Sequence, residues 1–151
     1  MGLSLTRSFR FFGANSSLAR VVGDPLLLQI GDGTRRPIQT YWLASSKKNL
    51  MAMPELVQDV FGYALHLAQI DQKHLDAKPM KGFGGAGVLE VVEDSQGDTY
   101  RAVYTVRYAE AVYVLHCFQK KSIRGIATPR PDVELIKSRL TAVETCMRGR
   151  E

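Results

Sequence analysis

The sequence predicts a small α+β domain in which helices pack on a twisted, mostly antiparallel sheet of about four strands. Three observations predict this class. An apolar stripe with helical spacing runs from Leu56 to Ala68, three runs rich in β-branched and aromatic residues lie between Val88 and Phe118, and a second amphipathic segment begins near Pro131. With 151 residues, 45% of them hydrophobic, the chain is long enough for one domain with a buried core.

The first strand and the helices after it occupy the early part of this domain. Residues 38–43 have the composition of a short strand, and Ser45 and Ser46 then offer a hydroxyl N-cap for a helical segment. With Pro54 at a first-turn position, the apolar stripe of the following helix needs a partner, and that partner should be a sheet.

Three further strands are predicted at Val88–Glu93, Tyr100–Tyr108 and Val112–Phe118, with turns at Ser95–Asp98 and Ala109–Glu110. They should form an antiparallel meander. Side chains alternate along a strand, so the middle strand divides into two sets. One face should carry Tyr100, Ala102, Tyr104, Val106 and Tyr108, and the other Arg101, Val103, Thr105 and Arg107.

The last helix begins near Pro131, where Asp132 and Glu134 suit the positive end of the helix dipole. Its apolar side should consist of Val133, Ile136, Leu140 and Val143. The predicted order is therefore one strand, two helices, three strands and one helix.

The ends of the chain differ from this domain. We predict a loosely ordered extension over residues 1–37, the domain over residues 38–147, and a tail over residues 148–151. The extension has no acidic residue before Asp24 and little periodicity. Its Arg- and Ser-rich composition also resembles an organelle transit peptide, and an over-extended start of translation is a further alternative.

The formal charge of +5 says little about partners, because the first 39 residues hold five arginines against two aspartates, a net of +3, which leaves +2 for the rest. The two cysteines form no CxxC pair, and Asp24 and Pro25 interrupt the longest apolar stretch near the start. We therefore expect a reduced cytoplasmic protein with no membrane contact, no metal and no cofactor.

The GxGxxG match at Gly82–Gly87 leads into a strand instead of a helix, which argues against dinucleotide binding.

Cations at strand ends are the candidate functional residues. Arg101 and Arg107 share a strand face, and Lys120 and Lys121 follow the next strand, so together they can offset charge on a phosphodiester in the transition state. RNA carries its own nucleophile, the 2′-hydroxyl, so a metal-independent reaction is sufficient. We assign RNA contacts to Lys78, Lys81 and Arg124. A solvated strand face is the alternative for the two arginines. For His116, which should share a strand face with Phe118, we expect a packed or edge histidine instead of a catalytic base. For Tyr100, Tyr104 and Tyr108 we expect core packing instead of a base-stacking surface.

Three stretches carry a resemblance: KPMKGFGGAGVLEV from Lys78, DTYRAVYTV from Asp98, and LHCFQKKS from Leu115, followed by PRPDVELI. Together they resemble the phage-related, HigB-like branch of the RelE/ParE toxin superfamily. The resemblance covers roughly 100 residues, from the Trp42 strand through the last helix.

The resemblance implies a small twisted sheet packed by two N-terminal helices and a C-terminal helix. It also implies an antitoxin partner, often of the helix-turn-helix type, and cleavage of mRNA on the ribosome by a metal-independent endoribonuclease. By position, Arg101 matches the arginine near the scissile phosphate, and Lys120 and Lys121 match the basic pair of these toxins.

Two departures separate the chain from its relatives. Val92 stands where many have a basic residue, and no tyrosine or histidine follows the KK segment to act as the usual acid or base. A non-catalytic, gyrase-directed toxin of the ParE type and an inactive antitoxin-binding relic are therefore the alternatives.

Overall fold

The computed structural model describes residues 36–85, 87–120 and 127–150. The predicted α+β class is confirmed. The elements, in chain order, are β1 Gln39–Trp42, α1 Ser46–Met51, α2 Glu55–Gln69, β2 Lys78–Pro79, β3 Val88–Ser95, β4 Asp98–Tyr108, β5 Ala111–Lys120 and α3 Arg130–Arg148. The predicted extension over residues 1–37 lies almost wholly outside the described residues.

The sheet has five strands in the order β1-β5-β4-β3-β2, one more than the sequence predicts. β1 pairs in parallel with β5, and the other neighbours are antiparallel. The additional strand is β2, which is only two residues long and therefore shows no periodicity. The parallel pairing of β1 makes the sheet mixed. Because β1 and β2 lie at opposite edges of the sheet, the α1–α2 segment carries the chain from one edge to the other.

A two-residue turn joins β3 and β4 and fixes their register. Gln96 and Gly97 both have positive φ, 53° and 86°, as a tight hairpin turn of this kind requires. Val92 therefore stands opposite Arg101, and Glu90 opposite Val103. This register makes Glu90 a diagonal neighbour of Arg101 on the same sheet face.

One face of the sheet, here the α2 face, packs against α1 and α2. Of the predicted apolar stripe of α2, the residues buried there are Val57, Phe61, Ala64, Leu65 and Ala68. Leu56, the first predicted member, is instead 69% exposed. Tyr100, Ala102 and Tyr104 contribute from β4, so the core interpretation of these two tyrosines is confirmed. Burial raises the pKa of Tyr104 to about 12, because the phenolate would lose its hydration.

The opposite face, here the α3 face, packs against the last helix. Ile136, Leu140 and Val143 are buried as predicted, and Val133 is half-buried. They cover Val103 of β4 together with the strand residues Val88, Leu115 and Phe118. Helix α3 begins at Arg130, one residue before the predicted start, with Pro129 as its N-cap.

Two local predictions are wrong. Pro54 is the N-cap of α2, with φ −53° and ψ 147°, instead of a first-turn residue. A residue that precedes proline is disfavoured in the α region, so the helical segment breaks between α1 and α2. Tyr108 packs with the α3-face cluster instead of with Tyr100, because the pairing of β4 with β5 shifts register between Thr105 and Tyr108.

The glycine-rich loop leads into β3, and no helix follows it. Gly87 adopts φ +67° and lies against the backbone of Arg107, where a Cβ atom would stand 3.3 Å from the Arg107 nitrogen. The Gly87 carbonyl accepts a hydrogen bond from the Val106 N–H. The last glycine of the motif therefore serves close backbone packing at the end of β4.

Candidate functional site

Arg101 lies on the α3 face of the sheet and is only 4% exposed. Its Nη1 atom donates to Glu90 Oε2 at 2.7 Å and to Thr128 Oγ1 at 3.1 Å. Glu90 comes from the diagonal position on β3, and Thr128 from the segment that precedes α3. A buried guanidinium needs such a carboxylate, because a charge left alone in the interior would be strongly destabilising.

Two lysines share this part of the sheet face. Phe118 stands opposite Arg101, and Lys120, two residues further along β5, stands opposite Thr99. Alternation therefore places Lys120 on the same face as Arg101. On the other side, Lys78 of β2 stands opposite Glu90 and is exposed. On this face, Lys120 and Lys78 therefore lie on the two strands that flank the Arg101–Glu90 pair.

The remaining predicted residues lie elsewhere. Arg107 follows Arg101 by six residues along β4, about 20 Å in an extended strand. It forms an ion pair with Glu144 of α3, so the structure does not bring the two arginines together. Lys81 is exposed in the turn after β2. Lys121 and Arg124 lie outside the described residues.

His116 occupies the next position on this face, beside Phe118. Its ring stacks on the Phe118 ring with centroids 4.7 Å apart, and the residue is 5% exposed. Nε2 lies 3.0 Å from Asp132 Oδ1, and Nδ1 lies 3.2 Å from Arg139 Nη1. A guanidinium only donates, so Nδ1 must accept and Nε2 must carry the proton. His116 is therefore a neutral, packed histidine, which confirms the sequence-based interpretation.

Arg139 connects three elements at this point. Besides His116, it donates to the Leu115 carbonyl oxygen at 2.7 Å and to Ser45 Oγ at 3.3 Å. Helix α3 is thereby tied to β5 and to the N-cap of α1. Sequence reasoning missed Asp132 and Arg139 as partners of His116, because no local pattern shows which helix face meets β5.

An open cleft of about 570 Å³ adjoins this junction. It lies beside the part of β5 beyond Val114, the last β5 residue that pairs with β1. Asn49 and Met53 line it from α1 and the segment after it, and Pro129 and Asp132 line it from the start of α3. The β5 side consists of His116, Cys117, Phe118 and Gln119.

The sequence profile of one protein family, described as Phage derived protein Gp49-like (DUF891), matches residues 48–141. This match spans more than half of the chain. The chain belongs to this family. The family is RelE/toxin-like, and the five-stranded sheet with three helices is compatible with a small RelE-like fold. No curated protein and no solved structure matches the chain.

The matched region of this Gp49-like chain contains the Arg101–Glu90 pair, Lys120, and the His116 junction with Arg139. Within residues 36–85, 87–120 and 127–150, no three His, Cys, Asp or Glu side chains are grouped as metal ligands. No helix of the same residues is long and apolar enough to cross a membrane.

The His116 junction should make the stability of this Gp49-like chain depend on pH. Burial lowers the pKa of His116, and the nearby Arg139 charge lowers it further, while the hydrogen bond to Asp132 opposes both. A histidine with a lowered pKa takes up its proton more readily in the unfolded state. Its contribution to stability is therefore complete above the unfolded value of about 6.5 and decreases as the pH falls below it.

We expect the free energy of unfolding in urea to decrease between about pH 7.5 and about pH 5.5 in the wild type. His116→Gln should reduce this slope, because an amide can donate to Asp132 and accept from Arg139 without titrating. His74→Gln is the matched control, because it makes the same change at a histidine outside this junction. Equal slopes in the wild type and His116→Gln would contradict the assignment.

Proposed function

We propose that the chain is the toxin of a type II toxin–antitoxin system, of the HigB-like kind, and that it cleaves mRNA on the ribosome. The observation that supports this most is the Arg101–Glu90 pair, placed beside Lys120 on one sheet face in a RelE/toxin-like family. The proposed partners are a cognate antitoxin, which we expect to be a helix-turn-helix protein, and the ribosome with its mRNA.

In the proposed reaction Glu90 accepts the proton of an RNA 2′-hydroxyl, and the 2′-oxygen attacks the adjacent phosphorus. The P–O5′ bond breaks, the 5′-oxygen takes a proton from water, and Glu90 returns its proton to the hydroxide that remains. The products are a 2′,3′-cyclic phosphate and a 5′-hydroxyl. Arg101 and Lys120 offset the negative charge that accumulates on the phosphate oxygens. A phosphate bound at Arg101 would take the place of the Thr128 hydroxyl, which now lies 3.1 Å from Nη1.

The other predicted cations have supporting roles in this proposal. Lys78 and Lys81 are exposed near β2 and are suited to contact the RNA backbone. Lys121 and Arg124 keep their sequence-based assignments to the phosphate and the backbone. Arg107 is paired with Glu144 at a distance from Arg101, so we assign Arg107 no role in the reaction.

The test is mapping of mRNA 5′ ends shortly after the chain is induced without antitoxin. We expect new 5′ ends in translated frames for the wild type, and their loss in the double variant Arg101→Lys, Lys120→Ala. Lysine keeps the positive charge that pairs with Glu90 but lacks the planar fork of a guanidinium. The Lys48→Ala variant, which changes an exposed lysine of α1, should cleave like the wild type.

The second candidate is a non-catalytic protein, either a gyrase-directed toxin or a relic that binds antitoxin. The 4% exposure of Arg101 favours it, because a buried, paired arginine stabilises the fold without any reaction. DNA-damage signalling with intact translation would indicate gyrase. Growth without inhibition, from a folded chain that still binds antitoxin, would indicate the relic.

A further inference from the structure

Three tyrosines form a ring cluster at the end of the sheet remote from Arg101. The Tyr41 and Tyr113 rings are stacked, with centroids 5.4 Å apart and planes 20° apart. Tyr108 meets Tyr113 edge to face at 5.4 Å. The first strand brings Tyr41 to this place, because its parallel register with β5 sets Tyr41 opposite Tyr113.

Tyr41 is the exposed member of this cluster. It is 47% exposed, whereas Tyr113 and Tyr108 are half-buried, and the Tyr113 hydroxyl lies 3.3 Å from Met147 Sδ of α3. One face of the Tyr41 ring is covered by Tyr113, so the exposed area belongs to its rim and opposite face. The stack is thus anchored on its inner side and open on its outer side.

Three exposed arginines lie close in the sequence to residues of the stack. Arg148 and Arg150 follow Met147 at the end of α3 and are exposed, and Arg36 is exposed three residues before β1. Burial raises the pKa of Tyr113, and the charge of Arg150 opposes that rise, which places Arg150 within electrostatic reach of the Tyr113 hydroxyl. The exposed acid in the adjoining turn is Glu110.

We propose that Tyr41, supported by Tyr113, is a stacking site for an unpaired base of single-stranded RNA, with Arg148 and Arg150 contacting the neighbouring phosphates. Exposed aromatic rings beside arginines are the usual means of binding single-stranded RNA, since every base has a π face and every linkage a charge. The choice of RNA rests on the proposed function. The stacking site is separate from the proposed catalytic residues. Tyr113 precedes Phe118 by five positions on β5, and Phe118 is the residue opposite Arg101.

The test measures binding of a fluorescent 2′-O-methyl RNA of about 12 nucleotides to the full chain by anisotropy. Without a 2′-hydroxyl the RNA cannot be cleaved by the proposed reaction, so binding is measured alone. We expect Tyr41→Ala to weaken binding by about fivefold or more. Tyr41→Phe keeps the ring and should bind within about twofold of the wild type.

Tyr63→Ala is the matched control, because Tyr63 is 44% exposed on α2, packs edge-on against His74, and should not affect RNA binding. Arg150→Gln should lower the dependence of log Kd on log salt by about 0.7, the value for one contact to single-stranded nucleic acid. Circular dichroism checks that each variant is folded. Binding that is absent in the wild type, unchanged in Tyr41→Ala, or equally reduced in Tyr63→Ala would overturn the proposal.

The two proposals fail in different ways. Cleavage of mRNA in cells together with unchanged RNA binding by Tyr41→Ala would remove the stacking site and leave the nuclease. Tyrosine-dependent RNA binding without new mRNA 5′ ends would remove the nuclease and keep the stacking site.

Discussion

Replacing Glu90 by alanine should lower the free energy of unfolding by about 3 kcal/mol, because Arg101 would remain buried without its carboxylate. The two side chains are 17% and 5% exposed, and the distance between Nη1 and Oε2 is 2.7 Å. Urea unfolding followed by circular dichroism measures the change. The matched control is Glu144→Ala, which breaks the more exposed pair with Arg107 and should cost less than about 1 kcal/mol.

The double variant Glu90→Leu, Arg101→Met separates stability from chemistry. Apolar side chains of similar volume often replace a buried ion pair at little cost, so we expect the double variant to be more stable than either single variant. It should fold and no longer cleave mRNA. A folded double variant that still produces new mRNA 5′ ends would show that neither Arg101 nor Glu90 takes part in the reaction.

Replacing Phe61 by alanine should have the other large effect, a loss of about 3–5 kcal/mol of stability. Phe61 is fully buried between α2 and the sheet, and the cavity left behind would lie inside one tightly packed cluster. A loss of this size is a large part of the roughly 5–15 kcal/mol that stabilises a typical domain. The variant should therefore unfold at a much lower urea concentration.

Leu56→Ala on the same helix provides the comparison for Phe61→Ala. Leu56 is 69% exposed, so its removal should change the stability by no more than about 0.5 kcal/mol. A loss below about 1 kcal/mol for Phe61→Ala would contradict the packing of α2 on the sheet.

Features that depend on short-range patterns could be predicted from the amino-acid sequence. The stripe of α2, the apolar side of α3 and the strands β3 to β5 follow from the spacing of apolar residues. The turn at Ser95–Asp98 also determines a register, because a two-residue hairpin loop leaves no choice of pairing. That register makes Glu90 and Arg101 neighbours, so the turn alone is sufficient to predict this half of the candidate site.

Contacts between segments far apart in the chain could not be predicted in this way and are seen first in the folded structure. The parallel pairing of β1 with β5 brings Tyr41 onto Tyr113, and the docking of α3 brings Asp132 and Arg139 to His116. The register shift between β4 and β5 moves Tyr108 to the α3 face. Such contacts depend on packing between elements far apart in the chain. The spacing of apolar residues within one element does not show which helix face meets which strand.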